Sequence, residues 1–151
     1  MSGLITEEIR AWIGRVDPPQ RVEVTRRDII KYAVATEHKL AKYLNGDEAP
    51  PLFLFGAHNP ITPLADLGAD GLRIDTLLPD LPLNRVMAGG ISQSHHRPLC
   101  AGDVVYLQRK LSDIYEKQGK TGPLIFVVYE IDTRTEDGEL VTRQTQTRIV
   151  R

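Results

Sequence analysis

The sequence predicts an α+β fold in which an antiparallel sheet packs against a helical segment. Three observations predict this fold. A helical pattern follows a short strand near the amino terminus, a proline-rich stretch occupies the middle of the chain, and alternating β-rich stretches fill the last third. The 151 residues suffice for one hydrophobic core, so we expect a single domain over residues 1–151.

The amino-terminal stretch predicts a short amphipathic helix over residues 7–13. Thr6 is its expected N-cap, because a threonine side chain can accept a hydrogen bond from the first helical turn. The Asp-Pro-Pro run at residues 17–19 ends this element, and the alternation over residues 21–24 predicts the first strand.

A second helix is predicted to begin after Thr25, and Asp28 three residues later completes a pattern like a capping box. The apolar stripe lapses at Glu37 and His38. Two possibilities remain: one long helix, or a helix that breaks near His38 and begins again. Its apolar face should be buried on the sheet through four side chains, namely Ile29, Ile30, Ala33 and Val34.

Residues 49–84 contain six of the ten prolines and show only scattered periodicity. They predict a long ordered loop with room for one helical turn. Loops of this length inside a compact domain are usually functional or cover another part of the structure.

From residue 85 onward the pattern is that of strands. The Asp137-Gly138 pair is a strong hairpin signal, and residues 119–122 predict another turn. Because the connections are short, the last three strands should form an antiparallel meander. The order of strand, helix, loop and four strands predicts a hot-dog fold, a curved antiparallel sheet wrapped around one central helix. The four later strands are predicted over residues 86–96, 104–115, 124–131 and 140–150.

The composition argues against several classes of partner. Lys and Arg (19) nearly balance Asp and Glu (20), which gives no indication of a nucleic acid partner. The one cysteine, Cys100, cannot form an internal disulfide, and no apolar run approaches the length of a membrane helix. We therefore expect a cytoplasmic protein without a membrane partner. The four histidines and one cysteine show no metal-binding spacing, so no metal is expected.

Several motifs occur in the order found in a known family. The segment Met87-Ala-Gly-Gly-Ile-Ser-Gln-Ser-His-His-Arg-Pro-Leu99 precedes a Gly-Asp pair at residues 102–103. A Pro-Pro-Leu-Phe segment at residues 50–53 and the stretches 113–119 and 124–128 follow the same scheme. Over about residues 22–151, the chain resembles the MaoC-like N-terminal dehydratase domains of the fatty-acid-synthase dehydratase type.

This resemblance implies hot-dog subunits that pair as homodimers or heterodimers. It implies substrates that are thioesters of coenzyme A or acyl carrier protein, and reversible addition of water across a 2-enoyl thioester. No bound metal or redox cofactor is implied.

The chain departs from the family at the catalytic motif, Gly-Asp-x-Asn-Pro-x-His. In that chemistry one group activates water and another moves the α-proton, while backbone donors polarise the thioester carbonyl. Residues 36–42 read Thr-Glu-His-Lys-Leu-Ala-Lys, without the Asn-Pro turn. Residues 56–62 read Gly-Ala-His-Asn-Pro-Ile-Thr, a stretch that lies too far along the chain and has Ala and Thr at the positions of the two catalytic residues. We therefore expect a subunit of an (R)-type enoyl-thioester hydratase or 3-hydroxyacyl-thioester dehydratase, which shapes the acyl pocket while a partner supplies the Asp/His pair.

Alternatives remain open. Glu37 and His38 are candidates for a relocated acid/base pair in a self-sufficient homodimeric hydratase, although ordinary structural roles are favoured. A non-catalytic acyl-thioester-binding module is a further alternative. Gly89 and Gly90 could let a thioester carbonyl approach the backbone or could relieve crowding, and His96 could face a ligand or belong to a structural turn. Four basic side chains could hold phosphates of coenzyme A or form a solvated strand surface: Arg109, Lys110, Lys117 and Lys120.

Overall fold

The computed structural model describes residues 3–57 and 60–151. It contains four short helices, a 3-10 turn at Leu64–Asp66 and five strands. The helices are α1 (Glu7–Arg10), α2 (Arg26–Ala35), α3 (Ala41–Leu44) and α4 (Phe53–Ala57). The strands are β1 (Gln20–Glu23), β2 (Val86–His95), β3 (Val104–Gly119), β4 (Gly122–Thr135) and β5 (Leu140–Val150).

The five strands form one antiparallel sheet in the order β1-β3-β4-β5-β2. The predicted meander of the last three strands is therefore confirmed. Its turns are also confirmed, since Gly119 pairs with Gly122 and Gly138 adopts a φ of 91° in the second hairpin. Strand β2 lies at the edge of the sheet and pairs with β5 on one side only among the described residues.

The helix after β1 begins as predicted, because the Thr25 hydroxyl accepts a hydrogen bond from the Asp28 backbone N–H at 3.1 Å. It then breaks, which is the second of the two possibilities left open by the sequence. Glu37 adopts a left-handed φ of 57°, and its N–H donates to the carbonyl of Val34. The N–H of His38 donates to the carbonyl of Ala33. These two bonds form a Schellman motif, which ends a helix.

The expected long central helix is thus replaced by two short helices, and one part of its predicted buried face is wrong. Ile29 and Ala33 are fully buried, and Ile30 is half-buried. Val34 is 62% exposed. Because α2 has only ten residues and touches the sheet along a narrow stripe, the flank that carries Val34 faces outward.

The buried apolar side chains form two separate clusters. The amino-terminal cluster packs α1 and the end of the long loop on the sheet and contains Ile5, Ile9, Leu77, Leu111, Ile114, Ile125, Val127, Tyr129 and Val150. The helical cluster packs α2 and α4 on the sheet and contains Val22, Val24, Ile29, Ala49, Phe53, Leu99, Val105 and Val141. Along β3, Leu107 and Arg109 lie between the two clusters. The middle of the sheet's inner face is therefore left without a covering helix.

Among the described helices, none combines the length and the apolar character that crossing a bilayer requires.

Candidate functional site

A groove of about 870 Å³ lies over this uncovered part of the sheet. Its floor consists of inward-facing side chains from β2, β3, β4 and β5, and its walls come from the Asp17–Gln20 segment, α4 and the long loop. The lining side chains used below are Gln93, Arg109, Thr133, Thr142, Gln144 and Gln146.

Three glutamines form a directed chain of hydrogen bonds across the floor. Nε2 of Gln146 donates to Oε1 of Gln144 at 2.6 Å, and Nε2 of Gln144 donates to Oε1 of Gln93 at 2.9 Å. Nε2 of Gln93 donates to the backbone carbonyl of Pro51 at 3.1 Å, next to α4. Because hydrogen bonds in such a chain polarise one another, the amide of Gln146 is an ordered polar end within the groove.

Arg109 anchors one end of the groove. Its guanidinium contacts Oδ2 of Asp17 at 2.9 Å and Oδ1 of Asp75 at 2.8 Å, and it also lies 4.8 Å from the centroid of the Tyr129 ring. Arg148 forms an ion pair with the same Asp75 carboxylate. Two arginines thus face two aspartates, so the charges of this group balance.

The ionic group shifts the pKa values of its members. Burial disfavours the charged form of Asp75, but hydrogen bonds from Arg109 and the Leu77 backbone, with the charge of Arg109, hold the Asp75 pKa below its usual value. Burial likewise opposes the charge of Arg109, yet its bonds to Asp75 and Asp17 raise the Arg109 pKa. Burial, followed by the nearby charge of Asp75, raises the pKa of Tyr129 to about 12. These groups therefore keep one charge state near neutral pH.

The sequence candidates Glu37 and His38 lie elsewhere. Glu37 is exposed at the end of α2, and His38 is half-buried with its ring 5.0 Å from that of Tyr43 and 6.4 Å from that of Tyr32. Within the described part of the chain, neither residue belongs to the lining of the groove. The hydrogen bonds and ring contacts of this segment show how it ends one helix and packs beside the next.

His95 and His96 line a separate cleft of about 330 Å³, together with residues 48–51 and the Arg-Pro-Leu turn. Strand β2 ends at His95, so the alternation of side chains stops there, and both imidazoles reach the same cleft. Nε2 of His96 lies 3.4 Å from Oγ of Ser94. The guanidinium of Arg97 contacts Asp103 at 3.4 Å. Gln93 and Thr142 line both the cleft and the groove, which are therefore neighbours.

The glycine pair lies at a bulge in β2, where the pairing with β5 shifts register between Ala88 and Gly90. A Cβ on Gly89 would lie 2.9 Å from the carbonyl oxygen of Thr147, so this glycine permits close approach of the neighbouring strand. Gly90 has a φ of 144°, which disfavours any side chain. The neighbour that a side chain at position 89 would meet is therefore strand β5.

Sequence reasoning missed the polar floor and the ionic group. One signal was present, because Arg109 falls on the apolar face of its strand, between Leu107 and Leu111. A charge at an inward position predicts a buried partner. Of the second motif-like stretch, residues 56–62, His58 and Asn59 lie outside the described residues.

Solved structures share this architecture, which defines the chain as a hot-dog-fold protein. The structure of the ChsH1-ChsH2 complex from Mycobacterium tuberculosis superposes with a TM-score of 0.69 at 20% identity, covering 94% of this chain and 90% of that one. The HadBC (3R-hydroxyacyl-ACP dehydratase) complex from the same organism gives a TM-score of 0.63 at 17% identity, covering 91% of this chain and 96% of that one.

A match to a sequence family identifies the family of this chain. The family "FAS1-like, dehydratase domain region" matches residues 11–144, and the chain belongs to it. This confirms the resemblance to MaoC-like N-terminal dehydratase domains. The mesaconyl-C(4)-CoA hydratase of Chloroflexus aurantiacus is 28% identical over 118 residues. The alignment includes 78% of this chain and 42% of that protein, so the chain spans less than half the length of this relative. By their names, this relative is a hydratase of a coenzyme A ester and HadBC is a dehydratase of a hydroxyacyl-ACP.

Proposed function

We propose that this chain is a subunit of an (R)-type enoyl-thioester hydratase or 3-hydroxyacyl-thioester dehydratase, in which it shapes the acyl pocket and a second hot-dog subunit supplies the Asp/His pair. The observation that carries this proposal is the set of ionisable side chains that line the groove. Among its described lining residues the ionisable ones are Asp17, Arg73 and Arg109, and Asp17 is held by Arg109. A site that binds an acyl chain without an acid/base pair needs a partner for the chemistry.

Strand β2 supports the assembly part of the proposal. Its ten residues are paired on one side and almost all exposed, including the apolar side chains of Val86, Met87 and Ile91. A long edge strand of this kind is a template for pairing with another strand. Two solved relatives are complexes of two different subunits, according to their names. We expect β2 to continue the sheet into the partner, with Gly89, Gly90 and His96 near the bound thioester of coenzyme A or acyl carrier protein.

The test is an assay of enoyl-CoA hydration by the purified chain alone and together with a hot-dog subunit that carries the full catalytic motif. General acid/base catalysis contributes about 10²–10⁴-fold, so the chain alone should be at least about 100-fold slower than the pair. An Asp→Asn change in the partner should abolish the activity. Glu37→Gln, His38→Ala and His58→Ala in this chain should change the rate of the pair less than about threefold.

Other outcomes identify the alternatives. Ordinary turnover by the chain alone, abolished by Glu37→Gln or His38→Ala with the fold intact, would establish the self-sufficient homodimeric hydratase. Binding of acyl-CoA without turnover in either arrangement would establish the acyl-thioester-binding module. The Glu37→Gln/His38→Ala double variant controls for contaminating host hydratases.

A further inference from the structure

The floor of the groove combines two apolar side chains, Leu107 and Ile131, with a patch of threonine and glutamine side chains, where a plain alkyl chain would need an apolar surface. Thr133 and Thr142 are 2% and 6% exposed, and they pair across β4 and β5. Within the described part of the chain, neither hydroxyl makes a hydrogen bond. Among the described residues, the buried side-chain N or O atom that lacks a hydrogen-bond partner is Nε of Arg97, so neither threonine hydroxyl is fully enclosed. The two hydroxyls therefore open into the groove.

The glutamine chain adds a third unsatisfied group. Gln144 is 8% exposed and has both ends of its amide engaged, by Gln146 and by Gln93. Gln146 donates one hydrogen, and its Oε1 has no partner among the described residues. The direction of the chain fixes this amide, so its free oxygen and second N–H cannot turn to a partner without breaking the bond to Gln144.

We propose that the groove selects acyl groups that carry an oxygen substituent remote from the thioester, a hydroxyl or a carboxylate, over unsubstituted alkyl groups of the same length. This inference rests on the proposed function, which puts the acyl chain in the groove. An alkyl chain would displace water from two threonine hydroxyls and one amide without replacing those hydrogen bonds. A site built from hydrogen-bonding groups rejects a ligand that lacks the matching group more strongly than an apolar pocket rejects a small change in size.

The charges that line the groove determine whether it binds a carboxylate more tightly than a hydroxyl. Arg109 and Arg148 are balanced by Asp17 and Asp75, so the ionic group offers no free cation to a carboxylate. Arg73 is exposed, lines the groove and has no ion-pair partner in the described part of the chain. A carboxylate should therefore bind more tightly than a hydroxyl only through Arg73, and Arg73→Gln should remove that difference.

The experiment measures dissociation constants of saturated acyl-CoA esters for the purified chain by calorimetry. Two matched sets are used, namely hexanoyl, 6-hydroxyhexanoyl and adipoyl, and octanoyl, 8-hydroxyoctanoyl and suberoyl. At one or both lengths, the oxygen-bearing esters should bind about tenfold or more tightly than the alkyl ester. The Thr133→Val/Thr142→Val double variant keeps the side-chain shapes and should reduce this preference below about threefold. Thr145→Val, on the opposite face of β5, should leave it unchanged.

The possible failures are distinguishable. If all six esters bind with equal affinity, or if the double variant keeps the preference, the polar selection is wrong and the proposed function stands. If none of the six binds, the proposed acyl groove and the selection are overturned together.

Discussion

Arg109 on β3 binds Asp75 of the long loop through two separate contacts, Nη2 to Oδ1 at 2.8 Å and Nη1 to Oδ2 at 3.3 Å. A bidentate arginine–carboxylate pair fixes orientation as well as distance. Because Arg109 also holds Asp17, it ties two connecting segments to the centre of the sheet. The loop over residues 60–84 is thereby fastened beside the groove at one defined position.

Removing one member of this group should be costly. In Asp75→Asn, Arg109 and Arg148 lose a shared counter-charge in a mostly buried place, and we expect a loss of about 3 kcal/mol in the free energy of unfolding. Urea denaturation at pH 7 measures this loss. The exposed Asp113→Asn serves as the matched control and should change stability by less than about 0.5 kcal/mol. Equal effects of the two changes would contradict the assigned role of Asp75.

The same carboxylate predicts a pH dependence. Its folded-state pKa lies below the unfolded value of about 3.8, so the unfolded chain takes up the proton first as the pH falls. The stabilisation is complete above the unfolded value and is lost as the pH falls through the folded one. Unfolding measured from pH 6 to pH 2.5 should therefore show a smaller slope for Asp75→Asn than for the wild type. A residual slope is expected from Asp132, whose pKa is lowered by its hydrogen bond to Arg143.

The two flanks of α2 should respond differently to truncation. Ile29 is fully buried in the helical cluster, so Ile29→Ala removes packed atoms and leaves a cavity, at a cost of about 2–4 kcal/mol. Val34 is exposed, and Val34→Ala should cost less than about 0.5 kcal/mol, since alanine also favours the helix. Thermal and urea unfolding of both variants test this. A large loss for Val34→Ala would indicate that this flank is covered.

Glu37 provides a test that separates a structural from a catalytic role. Its left-handed backbone costs a residue with a Cβ about 1 kcal/mol, so Glu37→Gly should leave stability unchanged or raise it by up to about that amount. Lys39→Gly, at a neighbouring exposed position without a positive φ, should be neutral or destabilising. Denaturation curves give the stabilities, and hydration assays of the assembled pair give the activity. Loss of activity in a stable Glu37→Gly variant would contradict the structural role.

The free edge of β2 should carry the subunit contact. Met87→Asp combined with Ile91→Asp places charges on both faces of this strand and should weaken association by about tenfold or more, because buried unpaired charges are costly. Ile61→Asp is the control, since Ile61 is fully exposed and lies outside β2. Sedimentation velocity over a range of concentrations measures the association of this chain with the second subunit. Unchanged association of the double variant, with the fold intact, would exclude β2 as the contact.

Local signals explain what the sequence predicted well. Thr25 followed by Asp28 marks a helix start, and Asp137-Gly138 marks a hairpin, because both depend on neighbouring residues alone. The end of α2 was harder to predict. Helices commonly end on a left-handed glycine, and here Glu37 occupies that position, so no standard stop residue marks it.

The groove could not be predicted from the sequence for a different reason. Asp17 and Asp75 are 92 and 34 residues away from Arg109, and no local pattern specifies such pairs. The alternation in β5 indicates that Gln144 and Gln146 share a face. It does not tell whether a helix or an open groove lies above that face, because this depends on where α2 stops.

The bulged edge strand has a consequence for how the chain must be produced. Ten residues with one free side and three exposed large apolar side chains can pair with another extended segment, including the same strand of another copy. Charged gatekeepers that would deter such pairing are absent from residues 86–94. Synthesis of this chain in excess of whatever covers the strand therefore favours insoluble aggregates, and balanced co-expression is the condition under which high yields of folded protein are expected.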